Sequence, residues 1–367
     1  MHTVRSLLLM LVIGLAGPLH ADYQSQVLAE NIDHPWSMVQ IGERQGLVAT
    51  RVGQLMTLDL DSGETEPVTG GPATYVESQG GYFDLTLHPQ FSVNQRVYLA
   101  LADGGPEANG TAIYMGTLRD RAIEGMQRIF RVSPSKDTPA HYGGKLAWTP
   151  EGDLLLTTGD GFEYREQAQN LQGQLGKVLR MTENGEPAPG NPFAESGDPY
   201  IYSLGHRNPQ GLAVDPVTQN IWMHEHGPRG GDELNLISMG ANYGWPATSF
   251  GINYSGARIS PLTSYEGISP PALYFTPSIG PSHLLIYQGA MFPEWQGDLF
   301  ISTLVDQDVK RIEVDGPTAT LAESLFSEFN ARIRAVTTDD QGALYLLTDD
   351  AAGAIIKISR PIASRVD

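Results

Sequence analysis

The sequence has no cysteine, which excludes disulfides, thiolate metal sites and cysteine nucleophiles together. Basic residues are scarce: 23 lysines and arginines stand against 42 aspartates and glutamates, a net charge of −19 that no basic run interrupts. Such a chain lacks the cationic face that neutralises phosphates or seeks anionic lipid heads, so neither nucleic acid nor a membrane surface is expected as a partner. There is no G-x-S-x-G elbow, no G-x-x-x-x-G-K-[ST] phosphate loop and no strand-linked G-x-G-x-x-G. Serine hydrolases, nucleoside triphosphatases and nicotinamide-binding Rossmann domains therefore lack their mechanical parts. Long apolar runs are also missing, apart from residues 7–16. Arg5 precedes that run and Leu19-His20-Ala21 follows it, so residues 1–21 read as a secretory signal peptide. The run falls short of the ~20 residues that span a bilayer, and a soluble periplasmic protein without membrane insertion is expected.

Turn formers are plentiful, with 41 glycines and 25 prolines, and hydrophobic residues make up 41% of the chain, enough for a packed core. One pattern recurs: an alternating apolar strand, a turn of Asp, Pro or Gly, then a second strand ending near Thr or Asp. Copies lie at 36–60, 82–101, 145–160, 211–227, 284–303 and 333–350. Period-2 stretches of this kind are half-buried antiparallel strands, and each unit has room for four. Six such units set around an axis make an all-β, six-bladed β-propeller with four-stranded antiparallel blades, a single domain over residues 22–367. Residues 24–29 would add a strand to the last unit and close the ring. Only 122–131 and 163–178 read as short helices or structured loops.

In a propeller the first strand of each blade lines the axial channel, so functional residues belong at the starts of the repeats and in the loops before them. Those places hold Gln79-Gly80-Gly81, His141-Tyr142-Gly143-Gly144, Gly205-His206-Arg207-Asn208-Pro209-Gln210 and Arg332-Ile333-Arg334. On a strand, Arg332 and Arg334 share a face, and two guanidinium forks suit a ligand with several carboxylates or phosphates; salt bridges to nearby carboxylates are the alternative. A histidine near its ordinary pKa suits a general base and His141 is a candidate, although a lone loop histidine is commonly just exposed. Asp160 could be a turn aspartate. The run from His224 to Glu233 admits two metal readings. His224 and His226 on one strand face would serve zinc or copper, whereas carbonyls at Gly227 and Pro228 with nearby carboxylates would serve calcium. Spacing does not choose between them. The aromatic loops at 242–246 and 250–254 could form a sugar-stacking rim or pack blades together.

The blocks HYGGKLAWTPEGDLLLTTGD, AQNLQGQLGKVLRM, YSLGHRNPQGLAVDP, HEHGPRGGDELNLISMGANYGWP, GINYSG and RIRAV, in this order along nearly the whole mature chain, resemble the soluble quinoprotein sugar dehydrogenases of the glucose/sorbosone dehydrogenase family, most closely its periplasmic aldose sugar dehydrogenase branch. The resemblance implies a six-bladed propeller that uses pyrroloquinoline quinone (PQQ) with Ca2+, oxidises an aldose sugar to a lactone and passes electrons to an external acceptor. It implies further that His141 is the base and Asp160 its orienting partner. Gln79, Arg207, Asn208, Arg332 and Arg334 would contact the quinone, with His226 beside it and Asp232 a further site carboxylate. Gly227 and Pro228 would give calcium-binding carbonyls. Where that family usually carries a lysine, this chain has Val305, and Lys310 lies five residues on at an odd offset. Two other readings stay open: a metal-dependent lactonase-type propeller built on His224 and His226, and a non-catalytic propeller that binds sugar or protein. A monomer or homodimer is expected.

Overall fold

Alternation along each repeat becomes strand pairing in the computed structural model, which describes residues 23–361. The signal peptide expected over 1–21 lies outside that range. The first strand, β1 (Gln24–Ile32), is used last, as shown below. Blade 1 contains β2 (Pro35–Gly42), β3 (Gln45–Thr50), β4 (Leu55–Asp59) and β5 (Thr65–Val68), and blade 2 contains β6 (Tyr82–Leu87), β7 (Arg96–Gly105), β8 (Ala108–Arg119) and β9 (Ala122–Arg131). Blade 3 is β10 (Gly143–Trp148), β11 (Leu154–Thr158), β12 (Lys177–Met181) and β13 (Ile201–Leu204); blade 4 is β14 (Pro209–Val214), β15 (Ile221–Glu225), β16 (Asp232–Ile237) and β17 (Leu273–Phe275). Blade 5 is β18 (Pro281–Ile286), β19 (Leu299–Thr303), β20 (Val309–Asp315) and β21 (Thr318–Leu325). Blade 6 has β22 (Ile333–Thr338), β23 (Leu344–Thr348) and β24 (Gly353–Ser359), with β1 added as its outermost strand. The fold is thus the expected six-bladed propeller of four-stranded antiparallel sheets. β1 pairs with β24 from Gln24↔Ser359 to Ile32↔Gly353, so the ring is closed by the predicted segment and three further residues.

One local expectation changes and one holds. Residues 122–131 form β9, not a helix: Ile123, Met126 and Phe130 imitate a helical stripe, but the β8–β9 ladder slips at Ile113/Tyr114 and Met115/Thr117, and Gly125 takes a φ of +63°. Each slip resets which face a residue occupies, so strict alternation is lost without loss of the strand. In 163–178 only a single 3-10 turn forms, at Arg165–Gln169, before the chain enters β12.

The apolar core lies between neighbouring blades, for example where Phe83 and Tyr98 of blade 2 meet Leu146 and Leu156 of blade 3. That leaves the axis free for polar groups. In all six blades the innermost strand slips register near its start, at Pro35/Ser37, Tyr82/Asp84, Gly143/Leu146, Pro209/Gly211, Pro281/His283 and Ile333/Ala335. A bulge bends its strand and re-aims the extra side chain. Here the extra residues include Trp36, Gln210 and Arg334, and all three line the cavity described next.

Candidate active site

A cavity of ≈ 310 Å³ is lined by Gln79, His141, Arg207, Asn208, His226, Arg332 and Arg334, which the sequence scatters over 256 positions. His141 stands at the entrance to β10 with a φ of +51°, in the left-handed region that costs a non-glycine residue energy. Its backbone N–H donates to Gln79 Oε1 at 2.8 Å, and its ring Nδ1 lies 2.6 Å from Asp160 Oδ1. Asp160 is completely buried and otherwise satisfied: Phe162 N–H donates to Oδ1 and Trp245 Nε1–H to Oδ2, each at 2.8 Å. Burial acts to raise the Asp160 carboxyl, but the hydrogen bond from His141 and the charges of His141 and Arg207 outweigh it and hold the group below the usual carboxylate range. An ionised carboxylate can only accept, so Nδ1 of His141 carries the hydrogen and Nε2 is the basic nitrogen left for a bound molecule. Burial pulls the His141 pKa below its ordinary value, against the opposing pull of Asp160. The imidazole is thereby kept neutral and able to accept a proton.

The cavity is cationic inside a strongly anionic chain. Among the described residues Arg51, Arg207, Arg332 and Arg334 face it, with Asp349 as the single carboxylate. Arg332 precedes β22 and Arg334 sits in its bulge, so simple strand alternation does not set their direction; both nevertheless reach Asp349 Oδ2, at 2.8 and 3.1 Å. Arg334 lies 3.7 Å from the centre of the Trp36 ring and donates to Gln210 Oε1 at 3.1 Å, while its buried Nε–H has no partner. Arg207 donates to the carbonyls of His226 and Gly227, at 3.0 and 2.8 Å.

A second cavity of ≈ 680 Å³ shares His226, Tyr254, Leu304 and Arg332 with the first and is bordered by Gly227, Pro228 and Val305. Asp232 lines neither space. It is buried beneath the Gly227–Pro228 turn, accepting from Gly227 N–H, Ser278 Oγ–H, Ile279 N–H and Gly280 N–H at 2.7–3.2 Å, and so shapes that turn from below. Lys310 is tied into blade 5 by Asp308, Asp306 and Ser324, at 2.6, 2.8 and 3.0 Å, and does not stand in for a lysine at Val305. The two histidines of the zinc reading separate: β15 ends at Glu225, so His226 has left the strand and reaches the cavity. His224 stays buried, both its ring nitrogens unpartnered. Of the aromatic loops, Tyr254 faces both cavities, whereas Tyr243 and Trp245 are buried.

The sequence reading missed Arg51, Trp36 and Asp349. A usable signal existed, because Arg51 and Asp349 directly follow the second strands of blades 1 and 6, where Asp160 follows that of blade 3.

The sequence profile of the family described as Glucose / Sorbosone dehydrogenase matches residues 32–357. The chain belongs to this family. This member is 37% identical over 342 residues to the aldose sugar dehydrogenase YliI of Escherichia coli K12, a match covering 91% of this chain and 92% of the relative. The crystal structure of the soluble aldose sugar dehydrogenase from Escherichia coli in the apo-form superposes with a TM-score of 0.89 at 35% identity, covering 92% of this chain and all of the other. The PQQ-bound form of an aldose sugar dehydrogenase from Streptomyces coelicolor superposes with a TM-score of 0.75 at 25% identity, covering 93% and 99%. No helix among the described residues of this family member is long and apolar enough to cross a membrane.

Proposed function

We propose that the protein is a periplasmic quinoprotein that oxidises aldoses at the anomeric carbon to lactones, using PQQ and Ca2+ and delivering electrons to an external acceptor, as a soluble monomer or homodimer. The observation that carries this reading is that the His141–Asp160 pair opens on the same cavity as the arginine cluster. Lactone formation needs a base for the hydroxyl proton and an acceptor for the hydride, both directed at one carbon. His141 is equipped for the first task. No side chain here accepts a hydride, so the second falls to a cofactor.

Four guanidinium groups against one carboxylate leave a surplus of positive charge that suits a flat ligand with three carboxylates, and the unpartnered Nε–H of Arg334 is one donor such an anion would satisfy. Arg207, Arg332 and Arg334 would bind its acid groups, with the amides of Asn208 and Gln79 beside them. Calcium takes 6–8 oxygen ligands, and the turn offers it the Pro228 carbonyl and, once Arg207 turns from it to the cofactor's acid groups, that of Gly227, so the ion would fit as a companion to an anionic cofactor that brings oxygens of its own. When bound, the quinone supplies a two-electron acceptor and the calcium a Lewis acid beside it. The protein's own part is to orient the sugar, to take the anomeric hydroxyl proton on His141 Nε2, and to stabilise the resulting imidazolium through Asp160.

The names of the two aldose sugar dehydrogenase relatives support this substrate class, and the PQQ-bound neighbour supports the cofactor. Export rests on the N-terminal sequence. Reconstitution tests the reading: apo protein with Ca2+ and PQQ should reduce an artificial dye when given an aldose, and His141→Ala should abolish turnover with the fold retained. Absence of PQQ binding at micromolar concentrations ends it. Lactone hydrolysis with retained zinc and no dye reduction would favour the hydrolase reading instead.

A further inference from the structure

Lys136 lies outside the lining of both cavities and is 2% exposed. Its Nζ donates to Asn109 Oδ1 at 3.0 Å and to the Thr138 carbonyl, and stands 3.4 Å from the centre of the Tyr142 ring. All three neighbours are uncharged and electron-rich, a cage that favours an ammonium ion. Each also belongs to the frame around the His141–Asp160 pair. Thr138 lies in the loop that ends at His141, and its hydroxyl donates to the carbonyl of Gly161, next to Asp160, at 2.6 Å. Tyr142 follows His141, and its hydroxyl donates to the same Asn109 Oδ1 at 2.7 Å. The stem of Lys136 runs against Gly161, where a Cβ would stand 2.9 Å from its Cδ. One side chain therefore touches residues adjoining both members of the pair.

The left-handed φ of His141 gives these contacts a purpose. A strained backbone conformation persists only where its surroundings over-determine it. Gln79 fixes the His141 backbone through its N–H, and the Lys136 cage fixes the loop that leads into it.

We propose that Lys136 is a positioning residue for the base: its buried ammonium, held by Asn109, Thr138 and Tyr142, locks the loop carrying His141. This rests on the reading of His141 as the base. The charged groups facing His141 are Asp160, bonded at Nδ1, and the cations Arg207 and Lys136; Asp160 favours the protonated ring and the two cations oppose it. Burial draws the pKa of Lys136 itself down to about 7, while Asp160 and Asp137 act to raise it.

Two variants test the proposal. Lys136→Met removes the charge, and Asn109→Asp neutralises it in place with the lysine retained. The His141 ring would be titrated by NMR in histidine-labelled apo protein, its signal assigned by its loss in His141→Asn. The midpoint should move upward by about half a pH unit or more in both variants, as expected when a nearby cation is removed or neutralised. In the loaded enzyme, the acid limb of kcat/KM should move the same way. Its kcat at neutral pH should fall about tenfold with little change in KM, the mark of a group acting through the base. An unmoved midpoint in a folded variant overturns the proposal, whatever its thermal stability, and Asn109→Asp decides if Lys136→Met does not fold. The titration needs neither cofactor nor turnover. Failure of the dehydrogenase reading would therefore appear separately, as wild-type protein that neither binds PQQ nor turns over.

Discussion

The imidazole of His224 fills the space where a side chain on Gly211 would stand: a Cβ there would lie 2.2 Å from both Cδ2 and Nε2 of the ring. The two residues face each other across the β14–β15 ladder. A second-strand side chain is thereby laid over an innermost-strand glycine, toward the channel. Gly211→Ala should destabilise the protein by about 1–3 kcal/mol or more, as overpacking does in well-packed cores. Gly211→Ala with His224→Ala should recover part of that loss, giving a non-additive cycle in urea denaturation. Additive losses would show that the ring does not hold this position.

Burial takes the pKa of His224 down to about 3, so the native chain resists protonating a group that titrates near pH 6.5 when unfolded. Between those values the unfolded state binds more protons, and stability falls as pH falls. On going from pH 7 to pH 5 the His224 contribution is a loss of about 2 kcal/mol. His224→Gln should remove that part of the pH dependence, measured as the difference in urea unfolding free energy between the two pH values.

The base should show a signature of its own. Asp160 raises the His141 pKa through its hydrogen bond and charge, so Asp160→Asn should shift the acid limb of kcat/KM to lower pH. The same substitution removes the fixed tautomer and the support for the imidazolium, and kcat should fall by about 10²–10⁴-fold. A lower rate with an acid limb moved upward would contradict the assigned hydrogen bond.

Asp349 is the only carboxylate among the described residues that faces the arginine cluster, and its two partners differ in exposure: the Arg332 side chain is 47% exposed and that of Arg334 only 6%. Asp349→Ala leaves Arg334 buried without a counter-charge and should cost about 3–5 kcal/mol. Arg332→Ala breaks a contact open to water and should cost under about 1 kcal/mol. Chemical denaturation of the apo protein distinguishes the two.

Much of this was legible in the residues because a propeller writes its axis at the start of every repeat. Alternation and turn chemistry locate the first strands, and with them His141, Arg207 and Arg334. An antiparallel meander also returns the end of each second strand to the same rim, which is why Asp160, Asp349 and Arg51 arrive there from elsewhere in the repeat. Only the first of these is read from the sequence, as a turn aspartate at the end of the third repeat and, through the family resemblance, as the partner of His141. Asp232 shows the opposite limit: composition marks it as polar and near the carbonyl turn, but whether a carboxylate faces a cavity or caps backbone N–H groups depends on loop geometry that alternation does not encode. Residues 122–131 failed for a related reason, since a bulge shifts faces without announcing itself in residue type.

Val305 is 60% exposed at the edge of the second cavity, beside Gly280 and near the Gly227–Pro228 turn. A lysine placed there displaces no core contact and can hold its ammonium toward the cavity while its stem covers apolar rim. Val305→Lys should leave thermal stability within about 1 °C, because an exposed substitution rarely moves stability by more than about 0.5 kcal/mol. It should tighten PQQ binding by up to about fivefold, the ~1 kcal/mol available to one added, partly exposed ion pair. That gain should shrink as salt is added, since an exposed pair is screened. Arg334→Met, which removes a buried cation with an unpartnered N–H, should weaken PQQ by about 10- to 100-fold with much less salt dependence. Titration of apo protein with PQQ at fixed Ca2+, at low and high ionic strength, measures both. Equal salt sensitivity in the two variants would mean that the cofactor's acid groups do not divide between a buried arginine and an open rim.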